Sequence, residues 1–379
     1  MDNSYLIQKN QKKLRTGYTT GSCATAAAKA ATHMLLTGEL ISQVTVTTPK
    51  GIILYLDVEH IEKTENFVSC AVKKDSGDDP DVTNGIYIYA GVEKRKGSDI
   101  IIDGGEGVAR VTKKGLEQEI GSAAINKVPL KMIQEAVREE MRQSKYQEGV
   151  LVLISVPEGA SLAEKTFNPR LGLEGGISIL GTSGIVEPMS EKALLDTIFL
   201  EMKMLKAQEH NWCYIVPGNY GSDFLAKSLG YDKELAVKCS NFIGETIDYA
   251  ITLEMKGILI IGHVGKLIKL AAGIMNTHSR QADARMEILA SHAAINGAKS
   301  AVVLQLMECL TTREAIRILN QEQLLCPTMD SIMKKIELHL KRRGGTKLQI
   351  EALMFSDDQK ILGRTRECES LLQRIQGEE

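Results

Sequence analysis

At 379 residues the chain exceeds one ordinary domain, so two are expected, with ample length for a large core. A net charge of −2, with Lys and Arg dispersed, argues against a basic nucleic-acid surface, and 4% aromatic residues argues against stacking platforms for single strands. No apolar run reaches the roughly 20 residues that span a bilayer, and the start MDNSYLIQKNQKK lacks the apolar centre of a secretory signal. Seven scattered cysteines without a CxxC pair suit a reducing compartment. The expectation is a soluble cytoplasmic protein without membrane or nucleic-acid partners. Whether it forms a homo-oligomer is left open.

The first informative stretch is 14–31, LRTGYTTGSCATAAAKAA. Residues 14–22 are rich in Thr and Gly, poor helix formers, whereas 23–31 are mostly Ala, the best. Thr19, Thr20 and Ser22 are candidate caps, and Gly17 and Gly21 permit close approach. A turn with outward N–H groups at a helix start is an anion site. The plainer reading, a capped and tightly packed helix, stays open beside it.

Residues 44–48 and 52–58 read as a hairpin around Pro49-Lys50-Gly51. Strands are expected near 66–72, 86–92, 100–102 and 107–112, and a helix at 128–143 with Pro129 in its first turn. Runs of strands with helices at the ends imply α+β. Between strands, 74–85 carries Asp75, Asp78, Asp79 and Asp81. That spacing is not an EF-hand, so no metal is assigned and a solvated loop is the plainer reading.

The pattern changes near Gly149. Residues 150–156 form an apolar run, as expected of a strand buried on both faces. Short strands at 177–180, 212–216 and 257–261 each lead into a Gly-containing loop, and helices are expected at 189–206, 241–253 and 266–272. Alternating strands and helices imply a mostly parallel sheet, whose ligands sit beyond the C-terminal strand ends. Three loops are expected to converge there: Gly181, Thr182, Ser183 and Gly184; Pro217, Gly218 and Asn219; and Gly262, Gly265 and Lys266. None is a standard phosphate loop: a GxxxxG at 176–181 lacks the Walker Lys, and no GxGxxG occurs. The fold expected is an N-terminal α+β domain, 1–146, and a C-terminal α/β Rossmann-like domain, 147–379.

Five stretches, RTGYTTGSCATAAAKAA, KDSGDDPDVTNG, NPRLGLEGGISILGTSGIVEPMS, PGNYG and GHVGKLIKLAAGIMNTHSR, occur in this order and span most of the chain. Together they resemble the cobalt-precorrin-5B C(1)-methyltransferase family of anaerobic cobalamin synthesis. The resemblance implies methyl transfer from S-adenosylmethionine to C-1 of cobalt-precorrin-5B, giving cobalt-precorrin-6A, with the cobalt carried by the substrate. Such a reaction needs mainly alignment and water exclusion, which suits a sequence without a nucleophilic triad.

The cofactor is then expected over the three loops, in the C-terminal half. The macrocycle falls to the N-terminal half, in a cleft between the halves. Its carboxylates call for N–H groups and cations, with Arg15, Thr19, Thr20, Gly21, Ser22, Arg170 and Arg280 as candidates. His263 and Asp283 are the candidate catalytic residues for handling a proton. Cys23, at a helix start, is read as packing rather than a nucleophile. Two other classes remain: a small-molecule kinase cradling a triphosphate on the Thr/Gly turn, and a non-catalytic cobalt-tetrapyrrole carrier.

Overall fold

The computed structural model describes residues 5–9, 12–166 and 168–377. It is a mixed α/β protein of two compact units, Met1–Ser190 and Glu191–Glu379. The boundary therefore falls well after the one expected at 146/147. The reason is strand Gly149–Ser155, which joins the first unit's sheet between Tyr87–Arg95, antiparallel, and Ile100–Gly104, parallel.

That sheet runs Glu59–Lys63, Phe67–Lys73, Tyr87–Arg95, Gly149–Ser155, Ile100–Gly104. Its strands alternate because only one face is covered: Val150, Val152 and Ile154 are buried while Leu153 is 39% exposed. Burial of Gly149–Ser155 on both faces is thus corrected to burial on one. Helix Thr20–Thr37 lies on the covered face, longer than its Ala core suggested, with its alanines fully buried. Small side chains let helix, sheet and the Lys127–Gln143 helix close tightly. The hairpin Gln43–Thr47 with Ile53–Asp57 forms as expected.

The second unit's sheet runs Ala236–Lys238, Trp212–Val216, Gly257–His263, Gln349–Phe355, all parallel, then Ile361–Arg364 antiparallel at the edge. Gly257–His263 is buried along its length apart from His263. Both faces are covered, which is why its strands read as continuous apolar runs. One face packs on helices Glu191–Ala207, Ile243–Thr252 and Leu325–Gly344, the other on Asn219–Lys227 and Cys368–Gln376. Strand Ala236–Lys238 has only three residues, too short for a periodicity signal. Among the described residues no helix is long and apolar enough to cross a membrane.

Candidate functional site

The start of helix Thr20–Thr37 is closed by the protein itself. Thr19 caps it, accepting from Ser22 N–H at 3.2 Å. Gly21 N–H donates to the Leu180 carbonyl at 3.0 Å, and Thr19 N–H to the Gly184 carbonyl at 3.1 Å. Ser22 Oγ donates to the same Gly184 carbonyl at 2.7 Å, and Leu180 N–H donates to Thr20 Oγ1 at 2.9 Å. The stretch at 178–184 therefore occupies the place sequence reasoning assigned to an anion. Thr19, Thr20, Gly21 and Ser22 are buried, so they shape the unit and are not open to a ligand.

The same contacts correct the placement of Gly181, Thr182, Ser183 and Gly184. They belong to the first unit, where Ile185–Val186 pairs antiparallel with Gly17–Tyr18. They do not follow a strand of the parallel sheet: Ile177 and Ile179 make only isolated bridges to Val108 and Ile125. Thr182 is exposed and Ser183 Oγ donates to the Ile185 carbonyl at 2.9 Å.

Arg15 and the acidic loop form one assembly. The Arg15 guanidinium grips Asp75 with two N–H groups, Nη2 to Oδ1 at 2.9 Å and Nη1 to Oδ2, while Arg15 N–H donates to Asp78 Oδ2 at 2.7 Å. The Arg15 bonds, opposed by partial burial, hold the Asp75 carboxyl below the usual range. Lys74, 2% exposed, donates to Asp81 Oδ2 at 2.7 Å and Ser76 Oγ at 2.5 Å. Burial would raise the Asp81 carboxyl, but the Lys74 charge and the Thr83 hydrogen bonds outweigh it and lower it. Asp79 Oδ1 accepts from Met189 N–H at 2.8 Å. All four aspartates are thus spent on protein partners, and the loop is built rather than solvated. Among the described residues no group of three or more His, Cys, Asp or Glu is placed to hold a metal. Beside this assembly opens a cleft of about 480 Å³ of mixed charge, lined by Arg15, Lys73 and Lys74 and by Asp57, Glu59 and Asp75. Arg170 and Arg280 are exposed, Arg170 in the first unit and Arg280 in the second.

In the second unit, four parallel strands end side by side, and the loops beyond them meet. Pro217, Gly218 and Asn219 follow Trp212–Val216; Gly262, Gly265 and Lys266 surround the end of Gly257–His263. A β-carbon built on Gly262 would lie 3.4 Å from Pro217 Cδ, and one on Gly218 would lie 3.7 Å from Lys266 Nζ. Gly218 sits at φ +95°, open to a residue without a side chain. Two of the three expected loops therefore converge. The third partner is one that sequence reasoning missed: Ser240 and Asn241, beyond Ala236–Lys238. Lys266 Nζ donates to the Ser240 carbonyl at 3.1 Å, and Ser240 is held at φ +53°. Lys238 Nζ donates to Asn219 Oδ1 at 3.1 Å. Burial pushes the Lys266 ammonium below its ordinary pKa. The signal available was only the Ser240-Asn241 pair itself, an ordinary turn dipeptide ahead of an apolar helix.

His263 is partly exposed at this edge. Gly265 N–H donates to its Nδ1 at 3.1 Å. Its Nε2 lies 3.1 Å from Asp357 Oδ1, at an angle too oblique for a well-formed hydrogen bond, so that attraction is chiefly electrostatic. Nδ1 is thus taken up by the Gly265 N–H, which closes the turn. Asp283 is exposed and held by Arg285, whose Nη2 donates to Oδ2 at 2.9 Å, a bond that keeps the carboxyl below its usual range. The loop at 276–285 is anchored by buried Lys269, which donates to the Thr277 and Ala282 carbonyls at 3.1 and 2.8 Å. Cys23 is buried, and burial pushes its thiol up to about 12, as befits packing rather than attack.

These features define a two-unit α/β protein whose second unit presents glycine-bearing loops and a lysine at the C-terminal ends of a parallel sheet. Residues 7–188 match the family described as CbiD, and 276–366 match the CbiD C-terminal domain. A protein of Ruminiclostridium cellulolyticum named cobalt-precorrin-5B C(1)-methyltransferase is 53% identical over 93% of this chain and 91% of its own length. Proteins of that name from Alkaliphilus metalliredigens and Citrobacter koseri are 46% and 42% identical, covering 99% and 98% of this chain and 98% and 97% of their own. The chain belongs to the CbiD family. A crystal structure of a cobalamin biosynthesis protein (cbiD) from Archaeoglobus fulgidus is 30% identical, covering 74% of this chain and 87% of that one, with a TM-score of 0.40.

Proposed function

We propose that this chain methylates C-1 of cobalt-precorrin-5B, using S-adenosylmethionine, to give cobalt-precorrin-6A. The reading is carried by near-full-length identity of 53% to a relative bearing that activity in its name. In this reading the second unit is a Rossmann-like donor-binding unit, and the first unit takes the macrocycle. In this reading the protein works in the cytoplasm.

The sheet edge fits a sulfonium nucleoside with an amino-acid tail. Gly218 and Gly265 remove side chains where a ligand must approach, and Asn219 and the backbone around Ser240 offer polar partners. Lys266 is placed to meet a carboxylate. When bound, S-adenosylmethionine supplies an electrophilic methyl group for an electron-rich ring carbon. The chain's own task is to orient and to exclude water. Exposed Arg170 and Arg280 are the cations offered to the macrocycle's carboxylates, while the Arg15 guanidinium, gripping Asp75, orders the loop beside its cleft.

The kinase reading loses its ground, because the Leu180 and Gly184 carbonyls already take N–H groups of the Thr/Gly turn. The carrier reading has no support among relatives named as methyltransferases. The test is parallel calorimetric titration with S-adenosylmethionine, S-adenosylhomocysteine and Mg-ATP. Binding of the two sulfur compounds alone, lost in Gly265→Trp, supports the reading; binding of Mg-ATP alone refutes it.

A further inference from the structure

We propose that Asp357 is a positioning residue: it fixes the tautomer of His263 and, through it, the shape of the turn at 262–266 that receives the methyl donor. The inference rests on placing the donor at that turn. Gly265 N–H can only donate, so His263 Nδ1, 3.1 Å away, must accept, and the ring proton belongs on Nε2. Asp357 Oδ1 faces that Nε2 at 3.1 Å, which favours a proton there. Asp357 is itself held from the other side, where Arg313 Nε donates to Oδ2 at 3.2 Å. The turn at 262–266 and the turn after Gln349–Phe355 therefore meet on one imidazole, and helix Thr312–Gln321 holds the carboxylate from behind.

The imidazole is wedged against the turn. A β-carbon on Gly265 would already lie 3.3 Å from Nδ1. In the opposite tautomer, Nδ1–H would confront Gly265 N–H, two donors face to face, and the turn would have to open. Lys266 follows directly, and its Nζ reaches the Ser240 carbonyl only while the turn keeps this form. Asp357 thus acts on the donor site without touching it. Nδ1 is spent on the Gly265 N–H and Nε2 faces the Asp357 carboxylate, so in this proposal His263 serves as shape.

The experiment combines steady-state kinetics with nitrogen-15 spectra of histidine-labelled protein, His263 being assigned by His263→Gln. Asp357→Ala is expected to raise KM for S-adenosylmethionine about tenfold while kcat stays within about threefold. Asp357→Asn, which keeps an acceptor oxygen, is expected within about threefold of the parent on both. In Asp357→Ala the His263 spectrum should lose its single pattern of bare Nδ1 and protonated Nε2. An unchanged KM, an unchanged spectrum, or a fall in kcat alone overturns the proposal. If Asp357→Ala does not fold, the parent spectrum still decides: a protonated Nδ1 overturns it. Normal donor affinity in Gly265→Trp as well locates the failure in the donor-site reading. A defective Gly265→Trp beside a normal Asp357→Ala locates it in the role of Asp357.

Discussion

Gly181 lies so close to Thr19 that a β-carbon on it would sit 2.5 Å from Thr19 Cβ. Thr19 is the cap of the alanine-rich helix, and Gly181 is held at φ +136°. The two residues come from stretches more than 160 positions apart, both singled out as glycine-rich. Their glycines serve each other, letting one backbone rest on the start of another's helix.

Gly181→Ala should therefore destabilise the first unit by about 2–4 kcal/mol, through a strained φ and a clash with the cap. Urea unfolding followed by circular dichroism measures this as a lower midpoint of the first unit's transition. A change below about 0.5 kcal/mol, the usual range for a surface substitution, would contradict the packing described.

Lys74 is buried and Asp81 half-buried, so Lys74→Met should cost about 2 kcal/mol by removing the carboxylate's charge partner. Pairing Lys74→Met with Asp81→Leu should recover part of that loss. Asp75 and Asp81 both have lowered pKa values in the folded chain. Their contribution is full above the unfolded value of about 4 and is lost as pH falls through the folded values. Asp81→Asn should flatten that acid limb; an identical acid-unfolding curve would count against the pair.

Glu351 has the opposite sign. Burial raises its carboxyl, although hydrogen bonds from Thr365 and the Glu367 backbone work against that. The folded chain therefore favours the protonated acid, and stability is lost as pH rises from the unfolded value through the raised one. Glu351→Gln should raise stability at pH 8 and leave it unchanged at about pH 4. Equal stability at both pH values would show that the buried carboxyl carries no such cost.

All seven cysteines are free, and only Cys326 is exposed. Burial lifts the thiols of Cys23, Cys70, Cys213, Cys239 and Cys368 to about 12. A disulfide reagent such as dithionitrobenzoate should meet one fast thiol in the native protein, and Cys326→Ser should remove that phase without loss of methyl transfer. Several fast thiols would mean that the units open more readily than their packing implies.

Much of this was legible. The helix at the alanine run, the hairpin around Pro49, and the apolar strands at 212–216 and 257–261 all follow from local pattern. The loops carrying Gly218 and Lys266 were found because glycine after a buried strand has a fixed geometric meaning in parallel sheets. Gly181 misled because its signal is the same. A strand followed by GTSG looks alike whether the glycine receives a ligand or another part of the chain. Gly149–Ser155 misled for a related reason, since an apolar run does not say which sheet it joins. Ser240, Asn241 and Asp357 carry no local signal that sets them apart from ordinary turn residues.

The elements, the family and the chemistry the family implies could be read from the chain alone. These rest on periodicity, composition and long ordered motifs, which are local properties of a chain. Tertiary structure alone decided which N–H groups at the helix start were already spent, which glycine loops shared a sheet edge, and that Asp357 faces Nε2 of His263. Each depends on a partner distant in sequence, and hydrogen-bond donors and acceptors are assigned only when those partners meet.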